Sequence, residues 1–99
     1  MNEVQIDNWI RSKGLTAPRL SPADIDSAIS TVSYTTLPSG KVMVCEIILR
    51  NGYSVRGEAA TVSKENFDED IGKEISFKNA REKIWQLEGY LLQELLYRQ

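Results

Sequence analysis

The sequence predicts an α+β fold: a three-stranded antiparallel β-meander packed by a long C-terminal α-helix, with two short N-terminal helices. Three observations predict it. Residues 31–62 are rich in β-branched and aromatic residues and are broken by "PSG" and by Asn51-Gly52. Residues 76–97 repeat apolar side chains at helical spacing. Two short stretches before residue 30 carry helix start and stop signals.

Length and composition limit what this fold can be. The chain has 99 residues, 41% of them apolar and 26% charged, an ordinary balance for one globular domain with a single thin core. A single domain over 1–99 is expected, with 1–20 as a loosely attached helix and linker and 21–99 as the core. No stretch reaches the apolar length of a bilayer span. Charges interrupt the N-terminal "MNEVQIDNWIRSKG", unlike a secretory signal. A cytoplasmic protein with no membrane partner is expected.

Residues 3–13 read as an amphipathic helix, with Val4, Ile6, Trp9 and Ile10 on one side and Gly14 placed to end it. In "SPADIDSAIS", Ser21 caps a helix of about ten residues, Pro22 takes its first position, and Ile25, Ala28 and Ile29 point inward. The strands follow as "TVSYTT", "KVMVCEIILR" and "YSVRGEAATV". Asn51-Gly52 signals a two-residue type I′ turn, which places Arg50 opposite Tyr53. Asn66 or Ser63 can cap the next helix. Gly72 leaves either one long helix with a weak point or two helices with Ser76 capping the second, and of these a break or kink is expected.

That register raises a question about coverage. It pairs Val42, Val44, Glu46 and Ile48 with Thr61, Ala59, Gly57 and Val55, and sets Met43, Cys45, Ile47 and Leu49 on the opposite face against Val62 or Ala60, then Glu58, Arg56 and Ser54. The middle strand then carries apolar side chains on both faces, more than a sheet with one wet face needs. The final helix supplies a lid through Ala80, Ile84, Leu87, Leu91 and Leu95. A second stripe, Trp85, Gly89, Leu92 and Leu96, lies about 100° round. Gly89 lowers helix propensity by about 1 kcal/mol relative to alanine, a cost that close approach of another backbone would offset. That backbone is either the N-terminal helix with Trp9, the short second helix, or a second copy. A homo-oligomeric interface is expected over Trp85, Gly89, Leu92 and Leu96, with Met43 and Ile47 on the sheet and Trp9 on the first helix.

Catalytic chemistry finds little support. The chain has no histidine, so serine triads and Cys/His pairs cannot be assembled. Its six glycines are scattered singly, without a phosphate loop or dinucleotide fingerprint. "ENFDEDIG" lacks the order of a calcium loop, and its acids suit a first helical turn. Neither a metal site nor a cofactor is expected. Cys45, the single cysteine, reads as a small buried hydrophobe. Glu46, mid-strand among apolar residues, is the unusual carboxylate, needing Arg56, Tyr34 or water as a partner.

The net charge of −2 argues against a nucleic-acid footprint. Arg50, Arg56, Tyr53 and Tyr34, with Arg11, Lys13 and Arg19, make a weak basic and aromatic set that Glu46 and Glu58 interrupt. A second alternative is a protein that sequesters a nucleotide or cyclic nucleotide between subunits, using Arg50, Arg56, Tyr53 and Glu46.

The segments "LSPADIDSAI", "VCEIILRNGYSVRGEAA", "ENFDEDIG" and "NAREKIWQLEGYLL" resemble a family of short proteins from tailed phages and prophages, labelled phage gene product 49/66. The resemblance runs from Ser21 to Leu92 and leaves the helix with Trp9 outside. It implies an origin rather than an activity, and no catalytic or binding residue is carried over from it. What it implies is a phage accessory protein acting in the infected cell and dispensable for building the virion. The expected function is therefore a non-catalytic, oligomeric binding module engaging a host or phage protein.

Overall fold

The computed structural model describes residues 1–99, in the element order α1 (Glu3–Ser12), α2 (Pro22–Ser27), β1 (Ile29–Thr36), β2 (Val42–Leu49), β3 (Ser54–Ala60), a single 3-10 turn at Lys64–Asn66, and α3 (Glu69–Tyr97). The strands form one antiparallel sheet in the order β1-β2-β3. The α+β architecture is the one expected. Helix α3 lies across β3 and β2 and leaves β1 largely uncovered.

The N-terminal elements start where side chains can satisfy free amides. Asn2 and Gln5 form a reciprocal capping box on α1, and Gly14 leaves the helix at φ +67°. Ser21 and Asp24 form the same box on α2, with Pro22 in the first turn. Helix α2 has only six residues, shorter than expected. Ile29, expected on its inward stripe, is instead the first residue of β1, where it pairs with Leu49. A β-branched residue that can join a ladder and still reach the core gains more from the strand.

The β2–β3 hairpin corrects the expected register by one residue. Its loop has three residues, Arg50-Asn51-Gly52. Only Gly52 has positive φ, at +89°, and Asn51 Oδ1 accepts from the Tyr53 amide at 3.0 Å. Leu49 N–H donates to Tyr53 O at 2.7 Å, so Leu49 rather than Arg50 faces Tyr53. A two-residue type I′ turn would need positive φ at Asn51 as well. The longer loop prevails because it aligns the hydrophobic patterns of the two strands. Met43, Cys45 and Ile47 now pair with Ala59, Gly57 and Val55 on one buried face. A one-residue slip would put Glu58 and Arg56 there instead.

The coverage question is answered by that shift. One face, under α3, holds Met43, Cys45, Ile47, Leu49, Val55 and Ala59, all buried, with Ile25 and Ala28 from the α2 end completing the layer. The other face is open. It carries Thr31, Ser33 and Thr35, then Val44, Glu46 and Ile48, then Ser54, Arg56 and Glu58. Apart from Val42, Val44 and Ile48, its side chains are mostly polar.

Helix α3 is continuous through Gly72, without the expected break. Asp68, rather than Asn66, Ser63 or Ser76, is its cap, its Oδ1 accepting from Ile71 N–H at 2.9 Å. Gly72 and Ser76 are buried where the helix meets the sheet, so packing outweighs their modest helix propensity. The closest approach is at Gly57 of β3. A Cβ there would stand 2.2 Å from the Ala80 backbone nitrogen and 2.4 Å from the Ser76 carbonyl oxygen. A glycine therefore holds helix and sheet backbones in contact, but it is Gly57 rather than Gly89.

Candidate functional site: the free half of the C-terminal helix

Lengths alone show that α3 must run past the sheet. Its 29 residues span about 43 Å at about 1.5 Å per residue, whereas eight residues of β2 span about 27 Å. The buried stripe of α3 is Gly72, Ser76, Ala80 and Ile84, and no later residue is buried. Past Ile84 the same stripe carries Leu87, Leu91 and Leu95, the last two about half exposed at 50% and 54%. Tyr90, Leu96 and Tyr97 add to this free half. The molecule is correspondingly extended, with a radius of gyration of 16.3 Å against about 13 Å for a compact domain of this length.

Polar side chains surround the leucines. Leu91, Leu92 and Leu95 line a shallow hollow with Leu20, and Arg19, Asp24, Arg50 and Glu88 stand at its margin. Arg50 is held there by its own backbone, whose N–H donates to Ala28 O at 3.0 Å. An apolar centre within a charged rim is the usual anatomy of a protein-binding patch.

Helix α1 is attached at the side of α3 through polar contacts, since none of its residues is buried. Glu3 Oε1 accepts from Arg81 Nη1, and from Trp85 Nε1–H at 3.1 Å. Arg81 Nε also pairs with Asp26 at 3.0 Å, so one mostly covered guanidinium ties α1 and α2 to α3. Its two carboxylate partners outweigh burial and raise its pKa further. Asp7 bonds Arg19 at 2.8 Å and Arg11 at 3.0 Å. The Arg19 hydrogen bond above all holds its carboxyl below the ordinary range.

The residues expected at an interface are divided by this geometry. Met43 and Ile47 lie fully inside the core beneath α3, so neither can belong to a surface of the single chain. The one-residue register shift accounts for that, because it moves α3 to their face. Trp85 packs against the core, and a Cβ at Gly89 would meet only Leu20 Cδ1, at 3.9 Å, so the linker after α1 lies over this part of the stripe. Leu92 lies partly covered in the hollow, while Leu96 and Trp9 remain exposed, Trp9 beneath the Lys13 ammonium. Leu87, Leu91 and Leu95 take the place of the buried members. Sequence reasoning assigned them to the lid, although the mismatch between a 29-residue helix and eight-residue strands signals an overhang.

The small-ligand candidates are not brought together within the chain. Glu46 and Arg56 face each other across β2 and β3 on the open side, and Arg56 donates to Ser54 Oγ at 3.1 Å. Tyr53 belongs to the opposite side by register, and Arg50 sits in the hairpin loop beside α3. The acidic cluster is spread among structural roles, with Asp68 as cap and Glu69 paired with Lys73 at 3.4 Å. Cys45 is buried, and burial pushes its thiol pKa up, which keeps it protonated and unreactive at neutral pH.

Fold and surface describe a small α+β protein with a partly uncovered helix. The chain belongs to the Phage protein (N4 Gp49/phage Sf6 gene 66) family, matched over residues 20–96. The match covers α2, the sheet and α3, and leaves α1 outside, as the resemblance of the sequence segments implies. No curated protein and no solved structure matches the chain. No helix is long and apolar enough to cross a membrane.

Proposed function

We propose that this protein is a non-catalytic phage accessory protein, a small self-associating binding module that engages a host or phage protein inside the infected cell. The observation that carries the reading is the free half of α3. Thirteen residues after Ile84 hold Leu87, Leu91, Leu92, Leu95 and Leu96 without burying any of them, on a helix that the sheet already anchors. Contiguous exposed apolar surface with a polar rim marks an interaction site. A rigid helix offering side chains at i, i+4 and i+8 suits the groove or helical face of another protein.

The test is capture from infected cells by tagged protein, with and without Leu91→Glu and Leu95→Glu together. The expected result is a protein retained by the wild type and lost from the double variant, with the melting temperature of the variant little changed. Equal retention by both would remove the overhang as the binding site.

A further inference from the structure

The two edges of the sheet are built differently, and from that difference we infer that two copies of this chain associate through β1, joining their sheets into one antiparallel six-stranded sheet. The inference deepens the reading of a self-associating module and names the surface that self-associates.

On the β3 side the edge is protected. The Glu58 carbonyl, which the register turns outward, accepts from Asn79 Nδ2 of α3 at 2.8 Å, and the strand carries Arg56, Gly57 and Glu58. Charges and a covering helix are ordinary means of blunting a sheet edge. Strand β1 has neither, and its one irregularity, between Ile29 and Thr31, precedes the free positions. Its sequence ISTVSYTT contains no charge, proline or glycine, and seven of its eight residues are exposed.

The hydrogen-bond pattern identifies the free groups. Leu37 N–H donates to Val42 O at 2.8 Å, so by alternation Thr35, Ser33 and Thr31 bond to β2. Val32, Tyr34 and Thr36 therefore turn their N–H and C=O groups outward. The side chains of these same residues lie on the face that α3 covers over β2 and β3, but the helix covers them only in part, reaching Tyr34 through Lys73. Val32 is 37% exposed and Tyr34 36%. Backbone groups are thus open at all three positions, with the apolar side chains of Val32 and Tyr34 partly open beside them.

An antiparallel strand complements itself about a twofold axis. With the axis at Tyr34, Val32 faces the second copy's Thr36 and Tyr34 faces its own equivalent, so every outward donor and acceptor is used. The strand has no charge to repel its equivalent. On the α3 face the charges beside Tyr34, Lys73 at 5.7 Å from its ring centre and Glu74, are of opposite sign, while on the open face Glu46 of β2 pairs with Ser33. A second β1 would also bring a second set of Val32 and Tyr34 side chains against the first.

Sedimentation equilibrium of the full chain, with variants placed at each surface, tests the inference. Tyr34→Pro removes an outward N–H without touching the β1–β2 ladder, and Val32→Lys places a charge at the edge. Wild type is expected to be a dimer, and each edge variant to dissociate about 10- to 100-fold more readily with an unchanged circular dichroism spectrum. The register gives a second readout, because Ser33 faces the second copy's Thr35 in a non-hydrogen-bonded pair about 4.5 Å apart at Cα. Ser33→Cys chains mixed with Thr35→Cys chains are expected to form a mixed disulfide that neither forms alone, the like positions being too far apart to bridge.

A monomeric wild type at high concentration overturns the proposal, as does a dimer that survives both edge variants. A dimer lost only in Leu91→Glu with Leu95→Glu also overturns it, since self-association then belongs to the α3 overhang. If edge variants abolish the dimer while that double variant loses only the captured protein, the two surfaces have separate roles. Retention of the captured protein by the double variant, with edge-dependent dimers intact, defeats the overhang reading alone.

Discussion

The two halves of α3 have similar spacing of their sheet-side stripe and opposite fates. From Glu69 to Ile84 the stripe is Gly72, Ser76, Ala80 and Ile84, small at first and wholly buried. From Leu87 to Leu95 it is leucine and about half exposed. Size explains the difference. Small residues let the helix lie against the backbone at Gly57, so the contact is close where the sheet exists. Beyond the hairpin there is no sheet to approach, and the larger side chains extend over Leu20 and into solvent. Periodicity gives the direction in which a helical face points, while the extent of the partner element determines how much of that face is covered.

The largest expected effect breaks the anchored half. Gly57→Ala would place a methyl carbon well inside contact distance of the Ser76 and Ala80 backbone, so α3 must lift away. Overpacking against backbone at this site is expected to cost about 3 kcal/mol or more, measured by urea denaturation. A next comparison uses one stripe at two points. Ile84→Ala, at a fully buried position, is expected to cost about 2–5 kcal/mol, and Leu95→Ala less than about 1 kcal/mol in the same assay. Equal costs would mean that the overhang is packed within the single chain.

A smaller effect has the opposite sign. Gly89 has room for a methyl group, which would make an ordinary contact with Leu20 Cδ1 at 3.9 Å, so Gly89→Ala is expected to raise stability by up to about 1 kcal/mol through helix propensity. Gly57→Ala and Gly89→Ala together separate a glycine required by close approach from one that is tolerated.

The smallest effect concerns α1. Because Arg19, with help from Arg11, lowers the Asp7 pKa in the folded chain, this contact stabilises the fold above the ordinary carboxylate range. Its contribution is lost as pH falls below about 4. Trp9 fluorescence is expected to report loosening of α1 on acidification. Asp7→Asn is expected to show that loosening already at neutral pH, with a weaker acid response.

Much of the fold was legible because its signals are local. Ser21-Pro22, Gly14 and the β-branched run of β2 each act within a few residues. Where expectation and structure differ, a distant segment decides. Asn51-Gly52 is compatible with loops of two or three residues, and only the match of Val55, Gly57 and Ala59 to the β2 face selects between them. Gly72 reads as a break in isolation, yet a Cβ there would stand 3.3 Å from Met43 Sδ, so a side chain would fit only if its neighbours moved. The candidate site was half legible. Surplus apolar surface on the last helix was apparent, but Met43 and Ile47 were assigned to the wrong side of the covering helix by a one-residue register.

By itself, the sequence determined the element types, the Ser21 cap of α2, the absence of histidine chemistry and the family, since each is written in adjacent residues or in a sequence-wide pattern. Only the tertiary structure decided the β2–β3 register, the choice of Gly57 as the point of backbone contact, and the leucines that α3 leaves uncovered. These depend on how far one element extends along another, and burial is settled by that overlap in space rather than by side-chain type alone.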